Sequence, residues 1–392
     1  MERQHRALYA AFDLFPSRKG AAIHIDRFAR TLFDAFDGGA LLVIGAPGLP
    51  TYQREGKVEI ERFHAEIPNF LDRALAFGDW VAEAVDAQKS LEICHFRDPW
   101  SGAPIALRPH AYAVVYEVNA LPSIELSCLY PSLGPATLEK IRRLEISCAK
   151  AADLVVTPSE TTRRLLADLG IEATLIPNGA DLDEPRARPA EAPGRYVLYF
   201  GAAQSWQGID TLFRAFARLQ DFEELRLVIC ASRESKAWRP YERLAGRLGI
   251  DQRIVWRYAL DEGELSAWRQ HATVSVAPLT DSPRNVSQGC APLKILESMA
   301  SGVPVVASDV PPVRELIRDR HDGWLVYPER PAELARALRL LLDGPEAARE
   351  MGRNARRTIE NGLTWNHATA KLRRAYKGVV DERMAGVPLA HS

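Results

Sequence analysis

The sequence predicts an α/β protein of two parallel-sheet domains, on three observations. Short apolar or β-branched runs alternate with segments of helical period from Ala7 to Ile176. The proline-rich stretch E-P-R-A-R-P-A-E-A-P-G, Glu184 to Gly194, interrupts that alternation. It then restarts at Tyr196 and runs to the last helices. A chain of 392 residues is long enough for two such domains, each burying its own core. The expected division is a first domain at 1–184, a linker at 185–194, a second domain at 195–364 and a final helix at 365–392.

Taken in order, Ala7 to Leu14 is a strand, followed by a turn from Pro16 to Ala22 that contains Gly20. Ile23, Phe28, Leu32 and Phe33 then recur at roughly helical spacing up to Phe36. Strand, glycine turn, helix is the arrangement that lets backbone amides approach a ligand. Ala40 to Ile44 is a strand, Phe70 to Val85 a helix, and Leu91 to Phe96 and Ala113 to Val118 are further strands. Leu138 to Ala152 reads as helix, Leu154 to Thr157 as strand, Thr161 to Leu169 as helix and Ala173 to Ile176 as strand. The segments Pro47 to Glu66, Phe96 to Pro109 and Leu121 to Gly134 read as loops.

In the second half, Tyr196 to Phe200, Leu225 to Cys230, Ile254 to Tyr258, Thr273 to Ala277, Pro304 to Ser308 and Gly323 to Val326 are strands. Helices fall at Ile209 to Leu219, Tyr241 to Leu248, Glu264 to His271, Pro331 to Leu342, Pro345 to Glu360 and Trp365 to Arg383. Between the fourth and fifth strands lies R-N-V-S-Q-G-C-A-P-L-K-I-L-E-S-M-A-S-G, a loop and then a helix from about Leu293, ended by Gly302. Lys294 and Glu297 are three apart and share one face of it. A cation near a helix start opposes the dipole, so an anion on the free amides there is one reading. The other is a solvated surface pair.

The chain is 47% hydrophobic and 26% charged, the composition of an ordinary soluble globular protein. A formal net charge of −1 excludes a globally basic nucleic-acid binder. The first half is nonetheless acidic and the second basic, which makes the second the better host for an anion. Five cysteines with no C-x-x-C or metal-ligand spacing fit a reducing compartment. No apolar run reaches the length of a membrane span. The expectation is a cytoplasmic protein without a metal or a nucleic-acid partner. Its acidic first half argues against peripheral membrane contact, although Lys140, Arg142 and Arg143 form a local basic patch.

Ligands of open parallel sheets bind beyond the carboxyl ends of the strands. His95-Phe96-Arg97-Asp98 and Glu117-Val118-Asn119 stand at such ends in the first half, and the Gly201 to Gly208 loop and the Lys294 helix in the second. A His-Arg-Asp cluster equally describes a self-satisfied polar knot. The default site is a cleft between the two sheets.

Several of these motifs together resemble the retaining glycosyltransferases of GT-B fold called family 4. The resemblance rests on the Gly20-Ala21-Ala22 turn, A-A-D-L-V-V-T-P-S-E at Ala151 to Glu160, and I-P-N-G-A-D at Ile176 to Asp181. It also rests on Y-F-G-A-A-Q-S-W-Q-G-I-D-T-L at Tyr199 to Leu212 and L-E-S-M-A-S-G-V-P-V-V-A-S at Leu296 to Ser308. Trp365 fits the position where the last helix crosses back to the first domain. The resemblance implies two Rossmann-like domains facing across a cleft, with a nucleotide-diphosphate sugar, most commonly a UDP-sugar, on the second. The acceptor, a small molecule, a glycan or a lipid-linked sugar, is implied on the first.

Carried onto this chain, Glu297 is the ribose ligand and Lys294, in a P-x-K-x-x-E pattern, reaches the diphosphate. Gly20, Gly201, Ser205 and Gln207, with the backbone of Gly289, Cys290, Ala291, Pro292 and Leu293, complete the donor site. Asn119 and Lys294 are the expected catalytic positions, and His24, Arg97, Asp98 and Asn119 the acceptor side. The chain departs from the family at Gly289, where a first glutamate is usual, and at Ala202 and Gln207, usually Arg and Lys. Asn119 replaces a common histidine. Arg233 and Arg284 are candidates to restore the lost charge. Because four positions change together, a GT-B-shaped binding protein without turnover is the alternative from another class, and a sugar-nucleotide epimerase a third.

Overall fold

A computed structural model of the chain describes residues 5–17 and 20–385. Arg18 and Lys19 of the first turn lie outside the described residues. The chain separates into two units, one running to Pro177 and resuming at Ala368, the other Asn178–His367.

The first unit contains β1 (Ala7–Leu14), α1 (Gly20–Ala35), β2 (Gly39–Ile44), β3 (Tyr52–Glu55), β4 (Val58–Phe63), α2 (Phe70–Asp86), β5 (Ile93–Phe96) and α3 (Pro99–Ala106). It continues with β6 (Ala113–Glu117), α4 (Pro122–Leu129), α5 (Pro135–Ala151), β7 (Leu154–Thr157), α6 (Glu160–Ala167) and β8 (Thr174–Leu175). Strand order is β3-β4-β2-β1-β5-β6-β7-β8, parallel except for the β3–β4 hairpin. The chain reverses direction across the sheet between β1 and β5, so the loops after those two strands diverge there. The C-terminal helix, Trp365–Met384, packs on this unit through Ala368, Leu372, Tyr376 and Val379, one buried stripe at helical spacing.

The second unit holds β9 (Arg195–Gly201), α7 (Ile209–Phe216), β10 (Leu225–Ala231), α8 (Arg239–Leu248), β11 (Ile254–Tyr258), α9 (Glu262–Gln270) and β12 (Val274–Ala277). α10 (Leu293–Ala300), β13 (Val305–Ser308), α11 (Pro311–Arg314), β14 (Trp324–Val326), α12 (Pro331–Asp343) and α13 (Pro345–Glu360) follow. All six strands are parallel, in the order β11-β10-β9-β12-β13-β14. Its switch point lies between β9 and β12. The central strands of both sheets, among them β2, β5 and β6 in the first and β10, β12 and β13 in the second, are buried on two faces, which is why they appear in sequence as apolar runs, whereas the edge strand β3 is largely exposed.

Three differences from the sequence reading have physical causes. The turn before α1 is shorter than expected, because Gly20 is already helical. The three segments read as loops contain the β3–β4 hairpin, α3 and α4. α3 buries Pro99, Trp100, Ser101, Gly102, Ile105 and Ala106, so it has no polar face to set a period. The second unit begins at Asn178, before the proline-rich stretch, because backbone bonds tie Ala180 to Leu363 and Trp365 and carboxylate bonds tie Asp183 to Ser266 and Arg269.

Candidate active site

At the β9/β12 switch point of the second unit, β9 ends on Gly201, whose φ of 132° suits glycine. A side-chain Cβ there would stand 3.2 Å from Lys294 Nζ. The loop continues through a 3₁₀ turn, Ser205–Gln207, to Gly208 in the left-handed region. Trp206 is buried, and its carbonyl accepts from Thr280 N (3.1 Å) and Asn285 Nδ2 (2.9 Å). The loop is thereby fixed to the segment that follows β12. A Cβ on Gly208 would lie 1.8 Å from the Pro278 carbonyl oxygen. Gly208→Ala is therefore expected to cost at least about 1–3 kcal/mol, from strain plus displacement of the 278–288 segment, and urea unfolding measures it.

Lys294 lies in the first turn of α10, and its ammonium donates to Gln207 Oε1 while sitting 4.2 Å from the centroid of the Tyr199 ring. Burial pushes that ammonium down to about 7, opposed by the Glu297 charge. Among the described residues no side chain caps the start of α10, and the loop ahead of it turns on Gly289 at φ 85°. Asn178 Nδ2 donates to the Ala291 carbonyl at 3.0 Å, so Asn178 of the P-N-G turn fixes the Cys290 to Leu293 backbone. Arg284 stacks on Trp206, 4.8 Å from its centroid, and donates to Asn285 Oδ1. Ser205 and Arg233 are exposed, the latter two residues past the end of β10.

Glu297 has a different partner from Lys294. Its carboxylate lies 3.9 Å from Nη1 of Arg269, a guanidinium only 3% exposed. Arg269 Nη2 donates to Asp183 (3.0 Å) and Glu262 (2.9 Å), and Ser301 Oγ donates to the other Asp183 oxygen. Among the described residues Nη1 has no hydrogen-bond acceptor. Burial raises Glu297 to about 7, with Arg269 opposing the rise. Sequence reasoning missed Arg269 and Asp183, since a polar residue on α9 and one after P-N-G-A-D give no sign of meeting.

The first unit assembles its polar residues around Glu117, a strand-end carboxylate to which sequence reasoning gave no role of its own. Glu117, the last residue of β6, is buried on the face that carries His95 and Tyr9. One oxygen accepts from Tyr9 Oη (2.8 Å) and His95 Nε2 (3.0 Å). The other accepts from Arg97 Nε (2.8 Å) and Asn119 Nδ2, with His24 Nδ1 at 3.0 Å. Tyr376 Oη meets His95 Nδ1 at 2.8 Å, which fits a neutral ring carrying its proton on Nε2. Burial penalises the Glu117 charge, but His24 and Arg97 outweigh it and hold the carboxyl well below its ordinary range. Burial lowers His95 as well.

His24, Arg97 and Asn119 thus meet at one carboxylate. Asp98 turns elsewhere: it caps α3 through Ser101 N (2.9 Å) and accepts from Phe12 N (2.7 Å). Gly20 opens α1, and Arg97 also donates to the Ala21 carbonyl in that first turn. Among the described residues no group of three or more His, Cys, Asp or Glu side chains is placed to hold a metal. No described helix is long and apolar enough to cross a membrane.

Residues 18–184 match the family described as Glycosyltransferase Family 4, and residues 183–358 match Glycosyl transferases group 1. The chain belongs to glycosyltransferase family 4. Among curated proteins, this family-4 chain is 27% identical over 232 residues to the MMP alpha-(1->4)-mannosyltransferase of Mycolicibacterium hassiacum, covering 58% of this chain and 54% of that protein. It is 30% identical over 270 residues to the D-inositol 3-phosphate glycosyltransferase of Streptomyces avermitilis, covering 63% and 56%. These matches span little more than half the length of the relatives. Among solved structures, sucrose-phosphate synthase from Thermosynechococcus elongatus superposes with a TM-score of 0.80 at 21% identity, over 96% of this chain and 100% of that one. HepE of Anabaena, solved in complex with UDP-glucose, gives 0.74 at 15% identity over 95% and 100%. The family-4 chain shares with them the GT-B fold of two Rossmann-like domains.

Proposed function

We propose that this chain transfers a glycosyl group from a nucleotide-diphosphate sugar to an acceptor hydroxyl, with retention at the anomeric carbon and without a metal. The observation that carries this reading is the β9/β12 switch point. It offers a cation, Lys294, beside glycine-rich and uncapped backbone, and a carboxylate, Glu297, one helical turn away. A diphosphate fits the first and a ribose diol the second. HepE, whose solved structure contains UDP-glucose, favours UDP as the nucleotide.

In this reading Lys294 stabilises the charge that develops on the leaving phosphate as the glycosidic bond breaks. That phosphate oxygen takes the proton of the acceptor hydroxyl, so no protein nucleophile is required. Gln207, at a position where the family usually carries a cation, holds the ammonium in place. Asn119, fixed by Glu117, is the residue assigned to the acceptor. The acceptor class is a small alcohol, a glycan or a lipid-linked sugar, and peripheral membrane contact is not required.

One observation favours the alternative of a nucleotide-sugar binder without turnover: Gly289 puts backbone where the family carries a sugar-facing carboxylate. Incubation with a panel of nucleotide sugars separates the two. Thermal stabilisation with release of the nucleoside diphosphate supports transfer, stabilisation without release supports binding alone, and no response to any donor refutes both. Glu297→Ala is expected to weaken UDP binding by about 1.5–3 kcal/mol, because the ribose loses a charged acceptor. Calorimetry showing unchanged affinity excludes the ribose role.

A further inference from the structure

Arg269 of α9 is buried, with its guanidinium carbon 5.8 Å from the centroid of the Phe200 ring. A guanidinium has five N–H groups to satisfy. Both on Nη2 are taken, by Asp183 and Glu262, and Nε points to Ser301 Oγ at 3.4 Å. The two on Nη1 are not, since among the described residues that nitrogen has no hydrogen-bond acceptor. Native interiors rarely leave such a group unused.

The carboxylate that faces Nη1 is Glu297, 3.9 Å away. That is about 1 Å longer than a charge-assisted hydrogen bond, a gap that a small side-chain rotation closes. The guanidinium itself has little freedom. Asp183 accepts from Arg269 with one oxygen (3.0 Å) and from Ser301 Oγ with the other, and Ser301 ends α10, one turn after Glu297. Arg269 is thereby tied to the helix that carries Glu297, and the edge it leaves unused is the edge Glu297 faces.

A carboxylate accepts hydroxyl hydrogen bonds most strongly when it is ionised. The charged groups facing Glu297 are Arg269 and Glu262 from α9, Asp183 from the segment after the P-N-G turn, and Lys294 from its own helix. Glu262 and Asp183 repel its charge, and burial acts in the same direction. Arg269 opposes them more strongly than Lys294 does. Without it, Glu297 would be a buried carboxyl beside two like charges. We propose that Arg269 is a positioning residue of the donor site, whose unused N–H groups hold the Glu297 carboxylate turned and charged for the ribose hydroxyls. This role rests on the assignment of Glu297 to the ribose, and adds the group on which that assignment depends.

Calorimetry of the full chain with UDP and with 2′-deoxy-UDP, between pH 6 and pH 8, tests it. The two probes share one diphosphate, so its protonation and that of Lys294 cancel in the ratio of their affinities, which reads the ribose contact. Glu297 stands at about 7, so its carboxylate fraction rises across this range. In wild type the ratio is expected to rise from about threefold at pH 6 to about tenfold at pH 8, as a neutral hydrogen bond gives way to a charged one. Arg269→Gln removes the cation and is expected to hold the ratio near about threefold up to pH 8. Arg269→Lys keeps a charge without the fork and is expected to fall between, at about fivefold at pH 8. A merely structural tie would lower Tm in both variants and leave the ratio as in wild type. Wild-type ratios across the range in either variant therefore overturn the proposal, and if Arg269→Gln fails to fold, Arg269→Lys decides alone. A ratio near one in wild type at every pH refutes the ribose assignment itself, and the role of Arg269 with it.

Discussion

Glu117→Ala is expected to lower the unfolding free energy by about 3–5 kcal/mol, the cost of breaking a buried charge pair and stranding its partner. The stranded group is Arg97, whose guanidinium is 8% exposed and whose short contact to Glu117 is 2.8 Å against 3.4 Å to Asp13. Tyr9, His95 and Asn119 lose their acceptor in the same step. Urea unfolding of the variant against wild type measures the loss, and a change under about 1 kcal/mol excludes Glu117 as the organising charge. The pH dependence has a definite sign. Glu117 is depressed on folding, so its contribution is present at neutral pH and is lost as pH falls from the ordinary carboxylate range toward its folded value. His95 is also depressed, so its share is lost earlier, as pH falls below the ordinary histidine value. Wild-type stability should thus decline in two stages on acidification, and Glu117→Gln should lack the second.

Lys294→Ala is expected to reduce turnover by at least about tenfold, equivalent to about 1.4 kcal/mol of lost transition-state stabilisation. The substitution removes the ammonium that Gln207 and Tyr199 hold beside Gly201. Burial draws both Lys294 and Glu297 to about 7 from opposite sides. As pH rises through neutrality Lys294 loses its charge while Glu297 gains the charge its ribose role uses, so their effects on UDP affinity oppose, and it is turnover at saturating donor, which depends on the ammonium, that should fall between pH 6 and pH 8. Lys294→Ala should remove most of that fall. Normal turnover in the variant would instead assign the diphosphate to loop amides and Arg284.

The fold was largely legible because parallel strands buried on both faces leave uninterrupted apolar runs, as in Tyr196 to Phe200 and Leu225 to Cys230. Lys294 and Glu297 stood out by their spacing on one helix face. Their partners did not, since Gln207 and Arg269 are brought to them by the order of β9, β12 and α9 and by no local pattern. Glu117 was hidden for a related reason. At the end of β6 it looks like any polar residue leaving a sheet, and only the pleat shows that it turns inward to His95 and Tyr9. α3 and its Asp98 cap were illegible because a helix buried all round carries no amphipathic period.

The bond from Tyr376 to His95 also bears on synthesis. The first unit is discontinuous in sequence: its sheet is finished by residue 175, but the helix that carries Tyr376 is the last described element of the chain. During translation the nascent first unit must wait with His95 unsealed while the entire second unit is made. The second unit, contiguous from Asn178 to His367, has no such debt and can complete its own contacts first. A ribosome that stops early, or a protease that trims the tail, therefore injures the oldest part of the molecule and spares the newest.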